Sequence, residues 1–232
     1  MTNSIWTSDY DVVHRCTTDH FHLSVASHPA KMLAKWISQP RNFQVLSWEI
    51  GGLGARAEFY ARGNDLVERY QREEDRLSTE IYTRVDPRHD AVELIISRQT
   101  DLLDSVPELE LTVRFDEANS ASVMNPDGTW APPGLGNENR QTLSEAMAVA
   151  VGGLDAVQYG VFVWPGDSQA ITAIRMNEET VEVQIPLFDQ SLEKGVIRRS
   201  RIMFARAEGN ISMQQLADRY RSFVESEIPL TT

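Results

Sequence analysis

Cysteine is almost absent from this chain. Cys16 stands alone in 232 residues, which excludes an intrachain disulfide framework. Basic residues are also scarce: 22 Lys and Arg face 34 Asp and Glu, for a net charge of −12. Such an acidic balance disfavours nucleic acid and anionic membrane as partners. No apolar run reaches the ~20 residues of a membrane span. The opening residues carry neither a basic stretch nor an apolar leader segment, so a soluble cytoplasmic protein is expected. Catalytic signatures are missing too. There is no Gly-x-Ser-x-Gly, no phosphate-binding glycine loop before a helix, no His-Glu-x-x-His and no Cys-x-x-Cys. No cofactor and no metal is implied. A carboxylate pair for glycoside chemistry cannot be read from sequence, because its spacing is a three-dimensional quantity.

What is present is alternation. In 19–26, Phe21, Leu23 and Val25 face one way and His20, His22 and Ser24 the other. From Phe43 to Met124 the pattern gives strands at 43–50, 55–62, 65–73, 77–86, 91–98, 108–116 and 120–124. After residue 156 it gives 157–164, 169–176, 180–187 and 196–206. Turn residues such as Gly51-Gly52, Gly63-Asn64 and Pro87 separate them. Close spacing without intervening helices argues for antiparallel pairing. Ala30, Leu33, Ala34 and Ile37 sit at helical spacing and predict a helix at 30–38. Thr142 and Glu145 read as a capping box opening a second helix at 141–151. Met213, Leu216, Ala217, Tyr220, Phe223 and Val224 form one stripe of a C-terminal amphipathic helix at 212–226, suited to cover a sheet face. The expectation is one mainly β domain over 1–232, an antiparallel two-layer β-sandwich with about three helices. A Gly/Pro-rich loop at 125–140 separates its two strand-rich halves.

One pattern occurs twice. Glu58-x-Tyr60-x-Arg62 and Glu80-x-Tyr82-x-Arg84 lie 22 positions apart. On a strand each triplet shares a face. Glu110 and Arg114 repeat the scheme with Thr112 between them. Carboxylates, phenols and guanidiniums on one face suit a sugar: rings cover its apolar side while charged groups bond its hydroxyls. The same residues also suit a wet face held by cross-strand ion pairs. Trp130, central in the long loop, could close over a ligand or plug a sheet edge. Arg199 and Arg201, in the basic stretch 194–201, could hold an anion or pair with a neighbouring strand's acid such as Glu182. His14, His20 and His22 are close in sequence, but their spacing completes no metal-ligand pattern.

The segments 61–67, 99–105 and 192–199, with Pro229-Leu230-Thr231-Thr232, resemble an uncharacterised bacterial family of the planctomycete type, which implies no activity. More loosely, the many antiparallel strands and the polar face resemble the β-supersandwich of sugar mutarotases. Three functions stay open. The first is a binding protein for a carbohydrate or similar polar ligand. The second is a carbohydrate-active enzyme, of epimerase or lyase type, using Glu58, Glu80 or Glu110 with a histidine. The third is a structural or assembly module. Oligomeric state is not legible.

Overall fold

Alternation along each strand decides how this chain is layered. The computed structural model describes residues 5–9, 13–28, 30–39, 43–74, 76–125, 128–132, 140–144, 148–153, 157–168, 170–209 and 212–227. In chain order the strands begin with β1 Trp6–Asp9, β2 Val13–Thr17, β3 Phe21–His28, β4 Lys31–Ser38, β5 Phe43–Gly51, β6 Ala55–Arg62 and β7 Asp65–Arg72. Then come β8 Leu77–Asp86, β9 Ala91–Thr100, β10 Asp104–Ser105, β11 Leu109–Phe115, β12 Ser120–Met124, β13 Trp130–Ala131 and β14 Arg140–Ser144. The last are β15 Ala148–Gly152, β16 Val157–Val163, β17 Ala170–Asn177, β18 Thr180–Leu187, β19 Leu192–Glu193 and β20 Ile197–Glu208, followed by the helix α1 Ser212–Glu225.

Among the described residues two nine-stranded sheets form, with every pairing antiparallel. One runs β1-β2-β3-β4-β5-β11-β18-β17-β14 and the other β13-β12-β15-β16-β20-β9-β8-β7-β6. We call them the first and second sheet; a small β10-β19 ribbon lies apart. Both sheets take strands from before and after the 125–140 segment. They face each other across a common core: Trp48 of β5 stacks on Phe204 of β20, ring centroids 4.3 Å apart.

Two of the three expected helices are strands. Residues 31–38 form β4, where Met32, Ala34, Trp36 and Ser38 are buried at period two, between β3 and β5. The helical spacing of Leu33, Ala34 and Ile37 loses because a central strand buries Trp36 and satisfies its backbone on both sides. Residues 148–152 form β15, buried throughout between β12 and β16. Val149 and Val151 enter the core, while Ala148 and Ala150 lie under α1. A strand covered on both faces loses its alternation and reads as a continuous apolar run. Thr142 belongs to β14, its hydroxyl 3.2 Å from that of Thr172; Glu145, its expected capping partner, is outside the described residues.

α1 lies on the outer face of the second sheet, as its stripe predicts. Leu216, Ala217 and Phe223 pack on Ala148, Ala150, Phe162, Ala205 and Ala207. Small side chains let the helix approach. At Gly160, a Cβ would meet the Phe162 ring at 2.8 Å and Leu216 at 3.4 Å. α1 is too short, and among the described residues no helix is long and apolar enough, to cross a membrane. It covers β15, β16 and part of β20, which leaves the outer face over β6 to β9 open.

Candidate functional site

That open face is built by register. A β-bulge between Arg56 and Glu58 re-phases β6, so Arg56 turns into the sandwich while Glu58, Tyr60 and Arg62 turn out. β7 then inserts between the two Glu-x-Tyr-x-Arg strands. Across β6, β7, β8, β9 and β20 the outward residues line up in rows. One row is Glu58, Arg69, Glu80, Ser97, Arg199; the next is Tyr60, Val67, Tyr82, Ile95, Arg201; the third is Arg62, Asp65, Arg84, Glu93, Met203. The two triplets therefore share one sheet and one face, with the complementary residue between each pair.

Charge alternates within these rows. Arg69 donates to Glu58 at 2.7 Å and to Glu80 at 2.8 Å. The hydrogen bond with Glu80 raises the Arg69 pKa and holds the guanidinium charged. Arg84 grips both oxygens of Asp65, at 2.8 and 3.1 Å. Between these charged rows, Val67, Tyr82 and Ile95 form a small apolar cluster. Tyr82 is 7% exposed, and burial pushes its phenol above the usual range. Tyr60, 40% exposed, is the ring that remains open.

Beside the ladder lies a cleft of about 700 Å³. Arg69, Glu80, Ser97 and Arg199 line it from the first row, Gln71, Ser78, Gln99 and Ile197 from the row below. Arg72, Glu73 and Arg76, at and beyond the end of β7, close one end. Ser97 is 8% exposed, and its hydroxyl has no hydrogen-bond partner among the described residues.

Other expected site residues are elsewhere. Glu110 and Arg114 belong to β11 of the first sheet, whose alternate residues Leu111 and Val113 fill the core. They point outward from the opposite layer, so they cannot join the ladder. Trp130, on β13 at the far edge of the second sheet, packs against the apolar cluster beneath α1. Residues 126–127 and 133–139 of its segment are outside the described ones. Arg201 shares a face with Arg199 but clamps the helix end. Its guanidinium bonds Glu93 at 2.6 Å and Ser226 Oγ at 2.9 Å, between the rings of Trp164 and Phe223 at 4.6 and 4.8 Å. Its partner is Glu93, not Glu182, because β9 is the neighbouring strand. Asp167 accepts from the Arg201 backbone N–H at 2.6 Å, and burial pushes its carboxyl up to about 6.

A second polar cluster, invisible to motif search, joins the two sheets near β6. Arg56 donates to His14 Nε2 at 3.3 Å, to Ser27 at 3.2 Å and to Glu68 at 3.5 Å. Ser27 donates in turn to Glu68. Because Arg56 donates to Nε2, the Nδ1–H tautomer donates to Ser8, 2.8 Å away. His14 and Glu68 are closed to solvent, and burial raises the Glu68 pKa against the lowering pull of Ser27 and Arg56. The sequence signal was a carboxylate between Leu66 and Tyr70 on the inward row of β7. His22 pairs with Thr17 at 2.7 Å, and His20 is exposed in the turn before β3. Among the described residues no group of three His, Cys, Asp or Glu is placed to hold a metal ion.

No protein-family model matches the chain, and no curated protein matches it in sequence. Solved structures do match its fold. One is a protein of Synechocystis sp. PCC 6803: TM-score 0.62, 9% identity, covering 90% of this chain and 100% of that one. A galactose mutarotase related enzyme from Lactobacillus acidophilus gives 0.64 and 8%, covering 85% and 98%. A galactose mutarotase-like protein from Lactobacillus casei gives 0.62 and 7%, covering 84% and 99%. At these identities the likeness is one of fold: this chain has the sandwich of galactose mutarotase-like proteins.

Proposed function

We propose that this protein binds a carbohydrate on the open outer face of the second sheet, in the cleft over β7, β8, β9 and β20, with Tyr60 as an aromatic platform beside it. The observation that carries this reading is the cleft. It combines a polar lining, a volume of about 700 Å³ and the unpartnered hydroxyl of Ser97 at its floor. Fixed charged groups and amides such as Gln71 and Gln99 suit the many hydroxyls of a sugar. The likeness to galactose mutarotase-like proteins supports the ligand class. Binding is favoured over catalysis by the state of the carboxylates. Glu58 and Glu80 are both engaged by Arg69, Glu110 lies on the other sheet, and His14 faces the interior.

A glycan array with the purified protein tests the ligand class, and silence at high protein concentration counts against it. Ser97→Ala and Tyr60→Ala should each weaken the best hit by roughly 1 kcal/mol or more. Thermal stability should change little, within about 0.5 kcal/mol for the exposed Tyr60. Unaltered binding in both variants would place the ligand elsewhere.

A further inference from the structure

The cleft carries a charge opposite to that of the whole chain. Four solvent-accessible arginines line it (Arg69, Arg72, Arg76 and Arg199) against three carboxylates, Glu73, Glu80 and Asp101; Arg98 borders it too, but its guanidinium is buried and turned onto Thr79 and the carbonyls of Gly52, Pro107 and Glu108. The local formal charge is therefore +1, in a protein of net charge −12. Glu80 is bound to Arg69 at 2.8 Å, while Glu73 and Asp101 are exposed at the rim. Ser97 stands in register between Glu80 and Arg199, so a buried hydroxyl donor and a guanidinium lie side by side on the floor.

Resting on the sugar-binding reading, we propose that the ligand is an anionic saccharide. Its carboxylate, sulfate or phosphate group would accept from Ser97 Oγ–H and from Arg199, with Arg72 and Arg76 closing on it from the β7 end. A neutral sugar gives no reason for four guanidiniums in one cleft of an acidic protein. An oxyanion does, because guanidiniums match its geometry and a buried hydroxyl donor gains an acceptor. The acidic remainder of the surface would repel the same ligand elsewhere, which focuses it on this cleft.

The test is calorimetric titration of the full chain with glucuronate, glucose 6-sulfate, glucose 6-phosphate, glucose and inorganic phosphate, at low and high salt. At least one anionic sugar should bind on the order of tenfold tighter than glucose, with the advantage shrinking as salt rises. Arg199→Gln and, separately, Arg76→Gln should each lower that affinity on the order of tenfold and lower any glucose affinity by less. Arg76 is exposed in a turn, so its variant remains informative if Arg199→Gln fails to fold. Equal binding of glucose and the charged sugars overturns the anionic proposal and leaves the sugar reading intact. Inorganic phosphate binding as tightly as the charged sugars overturns the saccharide and keeps only an oxyanion site. Binding by none of the five probes overturns the anionic saccharide.

Discussion

The outer face of the second sheet has two halves that obey one rule and end differently. Beneath α1, outward positions hold Ala148, Ala150, Gly160, Ala205 and Ala207, small enough for a helix to lie flat on them. Over β6 to β9 the equivalent positions hold Glu58, Arg69, Glu80, Asp65 and Arg84, which pair with one another across strands. Strand alternation is the same in both. What differs is what the outward residue can accept above it. Small apolar groups gain by excluding water, whereas a charged ladder would lose hydration under a helix. Arg201 marks the border. It satisfies its charge with Glu93 on the open side and buries its flat surface against Trp164 and Phe223 on the covered side.

The sharpest way to break this division is at the covered half. Phe223→Ala should destabilise the protein by about 3–4 kcal/mol in urea unfolding, because it removes a buried ring and opens the Arg201 clamp. A loss below about 1 kcal/mol would show that α1 contributes little to holding the sheet.

The border itself should respond to pH. Asp167 has an ordinary pKa of 3.8 and is pushed up to about 6 in the folded protein. Between those values the folded state keeps a proton that the unfolded state has released. Stability should therefore fall as pH rises from about 4 through 6, by about 2–3 kcal/mol, and level off above that. Burial of Glu68 acts with the same sign. Asp167→Asn keeps an acceptor for the Arg201 N–H without the charge, so unfolding measured across this window should show a smaller fall. An unchanged profile would assign the pH dependence to other groups.

The smallest effect is expected on the open half. Arg69→Ala removes both ion pairs of the first row, yet should cost less than about 1 kcal/mol, since these groups are solvated. Sugar binding should suffer far more than thermal stability. A large stability loss with intact binding would make the ladder architecture.

Much of this was legible in the chain. The inward rows of β8, β9 and β11 follow directly from Ile81 and Val85, Val92 and Leu94, and Leu111 and Val113. The amphipathic stripe of α1 is equally plain, as is the shared face of each Glu-x-Tyr-x-Arg triplet. β4 and β15 were not legible as strands, because an apolar segment that ends up between two paired strands carries no local mark of it. Glu110 and Arg114 looked like a third copy of the motif, since nothing local tells which sheet a strand will join.

Sequence alone determined which side chains share a face within an unbroken stretch of strand, because between bulges the pleat alternates every residue whatever lies beside it. It also determined that the last segment is an amphipathic helix, because 3.6-residue periodicity is written into the chain. Only the tertiary structure decided the order of strands, and with it the insertion of β7 between the two triplets, the bulge that turns Arg56 inward, and the cleft around Ser97. Those depend on hydrogen bonds between segments distant in sequence, whose choice of partner is settled by the burial of the whole sandwich and not by any local pattern.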